Sequence, residues 1–255
     1  MKAIAIIPAR MGATRFPGKP LARILGMPMV GHCLFRTRMC RELAATYVAT
    51  CDESIAEYVR SIGGQVVMTA VTHTRAAMRT AEAMLIVERE IGAVDAVVMV
   101  QGDEPLMVPE LISETLRSLA QPQVEIVNIM SRLRSVEEFL DRNNVKVVVT
   151  SLMDALYMSR EAIPSPWRGT AELPMYMQVG VIGFLREALL RFNSMPESRL
   201  EQIESIDMNR VLEAGGRIRM VATELRTIGV DTPAELKAVE ELMRRDPLLA
   251  SYASR

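Results

Sequence analysis

Apolar runs of strand length alternate with stretches of helical spacing from the first residues onward. Residues 3–7, 46–50, 65–68 and 94–100 predict strands, and helical patterns begin near Met29, Glu53 and Ala76. Such alternation predicts βαβ units around a parallel sheet. The runs AIAII and AVVMV are apolar at nearly every position, as strands covered by helices on both faces must be. The second half mixes its signals. Strands are predicted at 124–130, 146–149, 155–158 and 178–184, with helices at 109–120, 186–192, 201–214 and 234–244. Several of these strands follow one another without a full helix between them. The predicted class is therefore α/β, a mixed and mostly parallel sheet with a small inserted β-rich or dimer-forming subdomain. Pro164, Pro166, Trp167, Gly169 and Pro174 mark an irregular segment that fits a lid or a dimer arm better than a linker, because strand signals resume directly after it.

Composition narrows the function classes. A chain of 255 residues suffices for one large domain with a substantial core, and 49% hydrophobic with 24% charged residues is ordinary for a globular protein. With 30 Lys+Arg against 31 Asp+Glu there is no global positive field for a nucleic-acid backbone, so no nucleic-acid partner is expected. No run reaches the roughly 18 apolar residues of a membrane span, and the opening MKAIAIIPAR carries no export pattern, so no membrane partner is expected either. Cys33, Cys40 and Cys51 are an odd number with no CxxC pair. That points away from a disulfide framework or zinc ribbon and toward a reducing cytoplasm. His32 and His73, the only histidines, are too far apart to predict a histidine metal site.

The most informative stretch follows the first strand, where ligands of open α/β sheets bind. Residues 7–21 read IPARMGATRFPGKPL, with the cations Arg10, Arg15 and Lys19 interleaved with Gly12 and Gly18. Three cations with glycines that admit close backbone approach suit a triphosphate. The loop is not a P-loop: five residues separate its glycines, and Pro20 follows Lys19 where a hydroxyl would be needed for Mg²⁺. No GxGxxG follows a strand, which removes the usual dinucleotide fingerprint as well.

Further along, VATCDE ends at Glu53, VQGDEP spans residues 100–105, NNVKVV spans 143–148, YMSR spans 157–160 and GVDTPAEL spans 229–236. With the cationic loop, these ordered motifs resemble the CMP-KDO synthetases, the 3-deoxy-manno-octulosonate cytidylyltransferases, over about residues 1–245. The resemblance implies a Rossmann-like nucleotidyltransferase fold in a single cytidylyltransferase domain, residues 1–245, with a C-terminal tail at 246–255. It implies an enzyme that uses CTP and Mg²⁺, forms a homodimer, and has its acceptor attack the α-phosphorus with loss of pyrophosphate. By motif position, Arg10, Thr14, Arg15 and Lys19 would hold the triphosphate, with Lys19 and Arg15 offsetting charge on the leaving group. Asp103 and Asp231 would bind the metal, Asp103 thereby joining the catalytic set, and Gln101 would orient nucleotide or acceptor. Hard carboxylate oxygens suit Mg²⁺. Each carboxylate also has a plainer reading: Asp103 as a turn former or the start of a helix helped by Pro105, Asp231 as an N-cap before Pro233.

Departures from the family pattern cluster where the acceptor should sit. Where relatives carry an SGT segment with an acid and an arginine, this chain has RAAMR, which keeps Arg79 and adds Arg75. Gln178 and Ile182 replace a His and a Tyr, and Asp207 and Met208 stand where a Glu-Gln pair is usual. Fewer hydroxyl partners and more positive charge predict a small anionic acceptor such as the phosphonate phosphonoformate, held by Arg75, Arg79 and Arg160, with Gln178 and Asp207 at its edge. The alternative acceptor is 3-deoxy-manno-octulosonate or a related sugar acid.

Overall fold

A computed structural model describes residues 1–12, 15–169, 173–225 and 227–253. They form two compact units, residues 1–113 with 227–255 and residues 114–226. Sequence order in the first unit begins with β1 (Ala3–Pro8), the short antiparallel pair β2 (Arg23–Ile24) and β3 (Met27–Pro28), and α1 (Met29–Arg38). Then come β4 (Leu43–Thr50), α2 (Glu53–Ser61), β5 (Gln65–Met68), α3 (Ala76–Ile91), β6 (Ala96–Val100) and α4 (Pro109–Leu119), whose last turns enter the second unit. The large strands of this unit pair in parallel in the order β6-β1-β4-β5. Every residue of β6 and all but the last of β1 are buried, which accounts for their unbroken apolar sequence.

The second unit contains β7 (Ile126–Arg132), α5 (Val136–Leu140), β8 (Lys146–Val149), β9 (Ala155–Ser159), β10 (Tyr176–Leu185), α6 (Arg186–Ser194), α7 (Arg199–Glu204), α8 (Asn209–Glu213) and β11 (Arg219–Thr223). Here β7 runs antiparallel to β10 and parallel to β11, while β8 and β9 form an antiparallel pair joined to β10 through Met177 and Lys146. The predicted mixture of pairing is present. One predicted helix is two: the expected 201–214 element breaks because Ser205 adopts the left-handed conformation at φ 54° and ends α7. The pattern also passed over β11, a five-residue strand whose extension is set by its pairing with β7 rather than by alternation.

The chain returns to the first unit with α9 (Pro233–Met243). Val239 and Met243 of α9 pack with Ile24, Met29, Leu106 and Val230 in a buried cluster against which Phe16 also rests. This core lies directly beneath residues adjoining Arg15 and Asp231. Residues 246–253 are fastened to the same unit: Tyr252 is buried, stacks on Phe35 at 5.6 Å and bonds to His32 and Arg36. Among the described residues no helix is long and apolar enough to cross a membrane. The three cysteines are free thiols.

Candidate active site

Parallel strands place their carboxyl ends side by side. Ile6 of β1 pairs with Met99 of β6, so the segments that follow, beginning at Ala9 and Gln101, leave the sheet as neighbours. A Cβ at Gly102 would meet the Pro8 carbonyl oxygen at 3.0 Å, a tight contact that glycine avoids. Gly18 has φ +75°, donates its N–H to the Met11 carbonyl at 3.0 Å and turns the cationic loop into the short 3-10 helix Lys19–Leu21. Lys19 thereby comes to the mouth of β6.

Asp103 lies in the turn after β6, and α4 begins only at Pro109, so Asp103 does not start a helix at Pro105. Asp231 is not the N-cap of α9 either. Thr232 takes that position in a capping box with Glu235, whose carboxylate accepts from both Asp231 N–H and Thr232 N–H at 2.7 Å. The Asp231 side chain is thus left to face the loop. Val230 N–H donates to the Asp103 carbonyl at 2.9 Å, a main-chain bond that brings the two acidic residues together.

Four of the expected residues meet here. Lys19 Nζ lies 2.5 Å from Asp103 Oδ2 and 2.8 Å from Asp231 Oδ1, and an Arg15 guanidinium nitrogen lies 2.6 Å from Asp231 Oδ2. Burial works against the Lys19 charge, but Asp103 and then Asp231 outweigh it and hold the ammonium above the usual lysine range. Two cations balance two carboxylates, with Lys19 on the shielded side of the cluster and Arg15 on the exposed side. Such a set suits both charges that a metal-bound nucleoside triphosphate brings, carboxylates for the metal and cations for the phosphates. The oxygens of Asp103 and Asp231 converge on one point, the seat of the Lys19 ammonium, so the donor set fits a hard divalent cation.

The other expected residues are placed as follows. Arg10 is exposed just beyond β1, and Gln101 is half-buried just beyond β6. Thr14 lies outside the described residues. Arg75 is the half-buried N-cap residue of α3. Arg79 is buried and its guanidinium donates to Thr69 Oγ1 and to Cys51 Sγ. The remaining three belong to the second unit. Arg160 donates through Nε to the Glu204 carbonyl at 2.8 Å and through another guanidinium nitrogen to the Arg142 carbonyl at 3.0 Å. Gln178 donates to Asn128 Oδ1 at 2.7 Å, and Asp207 is half-buried just ahead of α8.

Glu204 escaped the sequence reading. Its carboxylate accepts from Tyr157 O–H, Ser159 O–H and Arg160 N–H, three residues of the YMSR motif, while Asn209 grips the Met158 main chain at both ends. No spacing signal links position 204 to position 157, so only the folded arrangement reveals it.

The cytidylyltransferase family profile matches residues 4–220. The chain belongs to the cytidylyltransferase family. A 3-deoxy-manno-octulosonate cytidylyltransferase of Geobacter metallireducens is 43% identical over 96% of this chain and 99% of its own length. A second, of Geobacter sulfurreducens, is 42% identical over 96% of this chain and all of its own length. Among solved structures, a CMP:2-keto-3-deoxy-manno-octonic acid synthetase complexed with CTP superposes with a TM-score of 0.87 at 36% identity, covering 96% of this chain and 99% of that one. This cytidylyltransferase thus shares sequence and fold with CMP-KDO synthetases along nearly its whole length, with the α/β nucleotidyltransferase architecture its sequence predicts.

Proposed function

We propose that this cytidylyltransferase transfers CMP from CTP to a sugar acid of the 3-deoxy-manno-octulosonate type and releases pyrophosphate. The observation that carries the reaction is the convergence of Lys19, Arg15, Asp103 and Asp231 at the carboxyl end of β6. A hydroxyl of the acceptor attacks the α-phosphorus, losing its proton to solvent, and the bond to the pyrophosphate oxygen breaks. Lys19 and Arg15 are placed to offset the charge that grows on the leaving group. Asp103 and Asp231 would hold Mg²⁺, which when bound neutralises phosphate charge and orients the triphosphate. Val230 and Glu235 keep the Asp231 carboxylate on the loop side.

Full-length relatedness at 36–43% identity to enzymes named for this sugar acid supports the acceptor. The small phosphonate expected from the sequence leaned on three arginines. Two of them are engaged inside their units, Arg79 by Thr69 and Cys51 and Arg160 by Glu204 and the Arg142 carbonyl, so the sugar acid is favoured. Pyrophosphate release with CTP and Mg²⁺ against 3-deoxy-manno-octulosonate and phosphonoformate tests the choice. The sugar acid is expected to give the higher kcat/KM, and ATP, GTP and UTP are expected to serve poorly. A phosphonate that wins by tenfold or more would reverse the acceptor assignment.

A further inference from the structure

Asp52 occupies the N-cap position of α2, where an aspartate ordinarily accepts from the first free N–H groups of its own helix. It does not do so. No side-chain cap bond is made, and only its main-chain carbonyl receives Ile55 N–H and Ala56 N–H, each at 3.1 Å. The carboxylate is instead turned away from the helix, and Oδ2 accepts Met11 N–H at 2.9 Å across 41 positions of sequence. Giving up a local cap for a distant contact costs helix stability, so the contact must be sought in what Met11 does.

Met11 lies one residue past Arg10, inside the cationic loop. Its peptide is held from both sides: its N–H by Asp52, its carbonyl by Gly18 N–H at 3.0 Å. Gly18 in turn places Lys19 on Asp103 and Asp231. The same Asp52 oxygen lies 3.6 Å from Cys51 Sγ, which receives an Arg79 guanidinium N–H at 3.5 Å. A hydrogen-bonded path therefore runs from α3 through Cys51 and Asp52 to the base of the cationic loop.

We propose that Asp52 is a positioning residue for nucleotide binding, anchoring Met11, on whose carbonyl Gly18 closes the loop, so that Arg10, Arg15 and Lys19 face the triphosphate together. The inference rests on the reading of that loop as the triphosphate site. An anionic acceptor on a main-chain N–H is a strong, directional anchor, and a neutral amide oxygen preserves its direction with less strength.

The test compares Asp52→Ala and Asp52→Asn with the parent protein by steady-state kinetics, thermal melting and amide exchange over residues 10–19. Asp52→Ala is expected to raise the KM for CTP about tenfold, the range of one charged hydrogen bond, with the acceptor KM unchanged. Asp52→Asn should recover most of that loss, and the Met11 amide should exchange faster in the alanine variant. A lowered melting temperature with unchanged CTP KM would overturn the proposal, as would equal rises in both KM values or an asparagine variant no better than alanine. If the parent protein does not use CTP, the functional reading fails by itself. Amide exchange then decides the anchor: unchanged protection of Met11 and Gly18 in Asp52→Ala overturns it.

Discussion

Lys19 carries two duties that a single side chain can hold only in turn. Among the described residues it neutralises Asp103 and Asp231, and in the proposed reaction it faces phosphate. Because its folded pKa is raised, its contribution to stability is complete below the unfolded lysine value of about 10.4 and disappears only as pH rises through the folded value. The ion cluster is therefore intact across neutral pH. Lys19→Met leaves the two carboxylates facing one another with Arg15 on Asp231. The variant is expected to lose roughly 10²-fold or more in kcat, and Mg²⁺ should raise its melting temperature more than that of the parent. Equal Mg²⁺ shifts in the two proteins would show that ammonium and metal do not share a seat. These residues were legible early, since loop, strand end and acidic turn are local signals. Asp52 was not, because an aspartate before a helix looks like an ordinary cap until its carboxylate is seen to point elsewhere.

Elements were legible where one face or both faces decide them. The starts of α1, α2 and α3 and the whole of β5 and β8 fall where hydrophobic spacing predicts, while the break between α7 and α8 does not, because a single left-handed serine makes it. The YMSR motif has a structural partner that its sequence does not announce. It suggests an arginine for the acceptor, yet three of its four residues converge on Glu204 and tie β9 to α7. Burial would raise the Glu204 pKa, but Arg160 N–H and the hydroxyls of Ser159 and Tyr157 prevail and hold it below the usual carboxylate range. Stability from this pair of elements is thus present above the unfolded glutamate pKa and lost as pH falls through the folded one. Glu204→Gln replaces three bonds to a carboxylate with weaker neutral ones: with the amide oxygen on Arg160 N–H, its NH2 faces the Tyr157 and Ser159 hydroxyls, which must turn round to accept. Urea unfolding is expected to report a loss of about 1–3 kcal/mol, and a loss near zero would remove Glu204 from this role.

At the scale of the whole molecule, the last residues are more than a trailing end. Arg36 is wholly buried, and Asp246 at 2.5 Å supplies its counter-charge. Since the Ile24 carbonyl can only accept, His32 Nε2 carries the proton, Nδ1 accepts from Tyr252 O–H, and the phenol oxygen accepts from Arg36 Nε. Burial pushes His32 down, aided by the Arg36 charge against the pull of the Ile24 carbonyl. The unfolded chain then binds the proton more readily, so this stability is full above about pH 6.5 and falls as the solution is acidified. Ending the chain at residue 245 strands a buried guanidinium, and a loss of about 3–5 kcal/mol is expected in chemical unfolding. An unchanged midpoint would refute the fastening. No periodicity forecasts this, because the two partners stand at opposite ends of the sequence. The bond from Val230 N–H to the Asp103 carbonyl also joins distant parts of the sequence, yet it uses main-chain atoms alone. Of the twenty residues only proline at position 230 lacks the donor. The hydrogen bond that joins the two acidic segments is therefore independent of side-chain chemistry at those positions, while the Val230 side chain itself serves the core beneath. A lineage can rewrite the side chains around its second substrate while that hinge of inheritance stays in place.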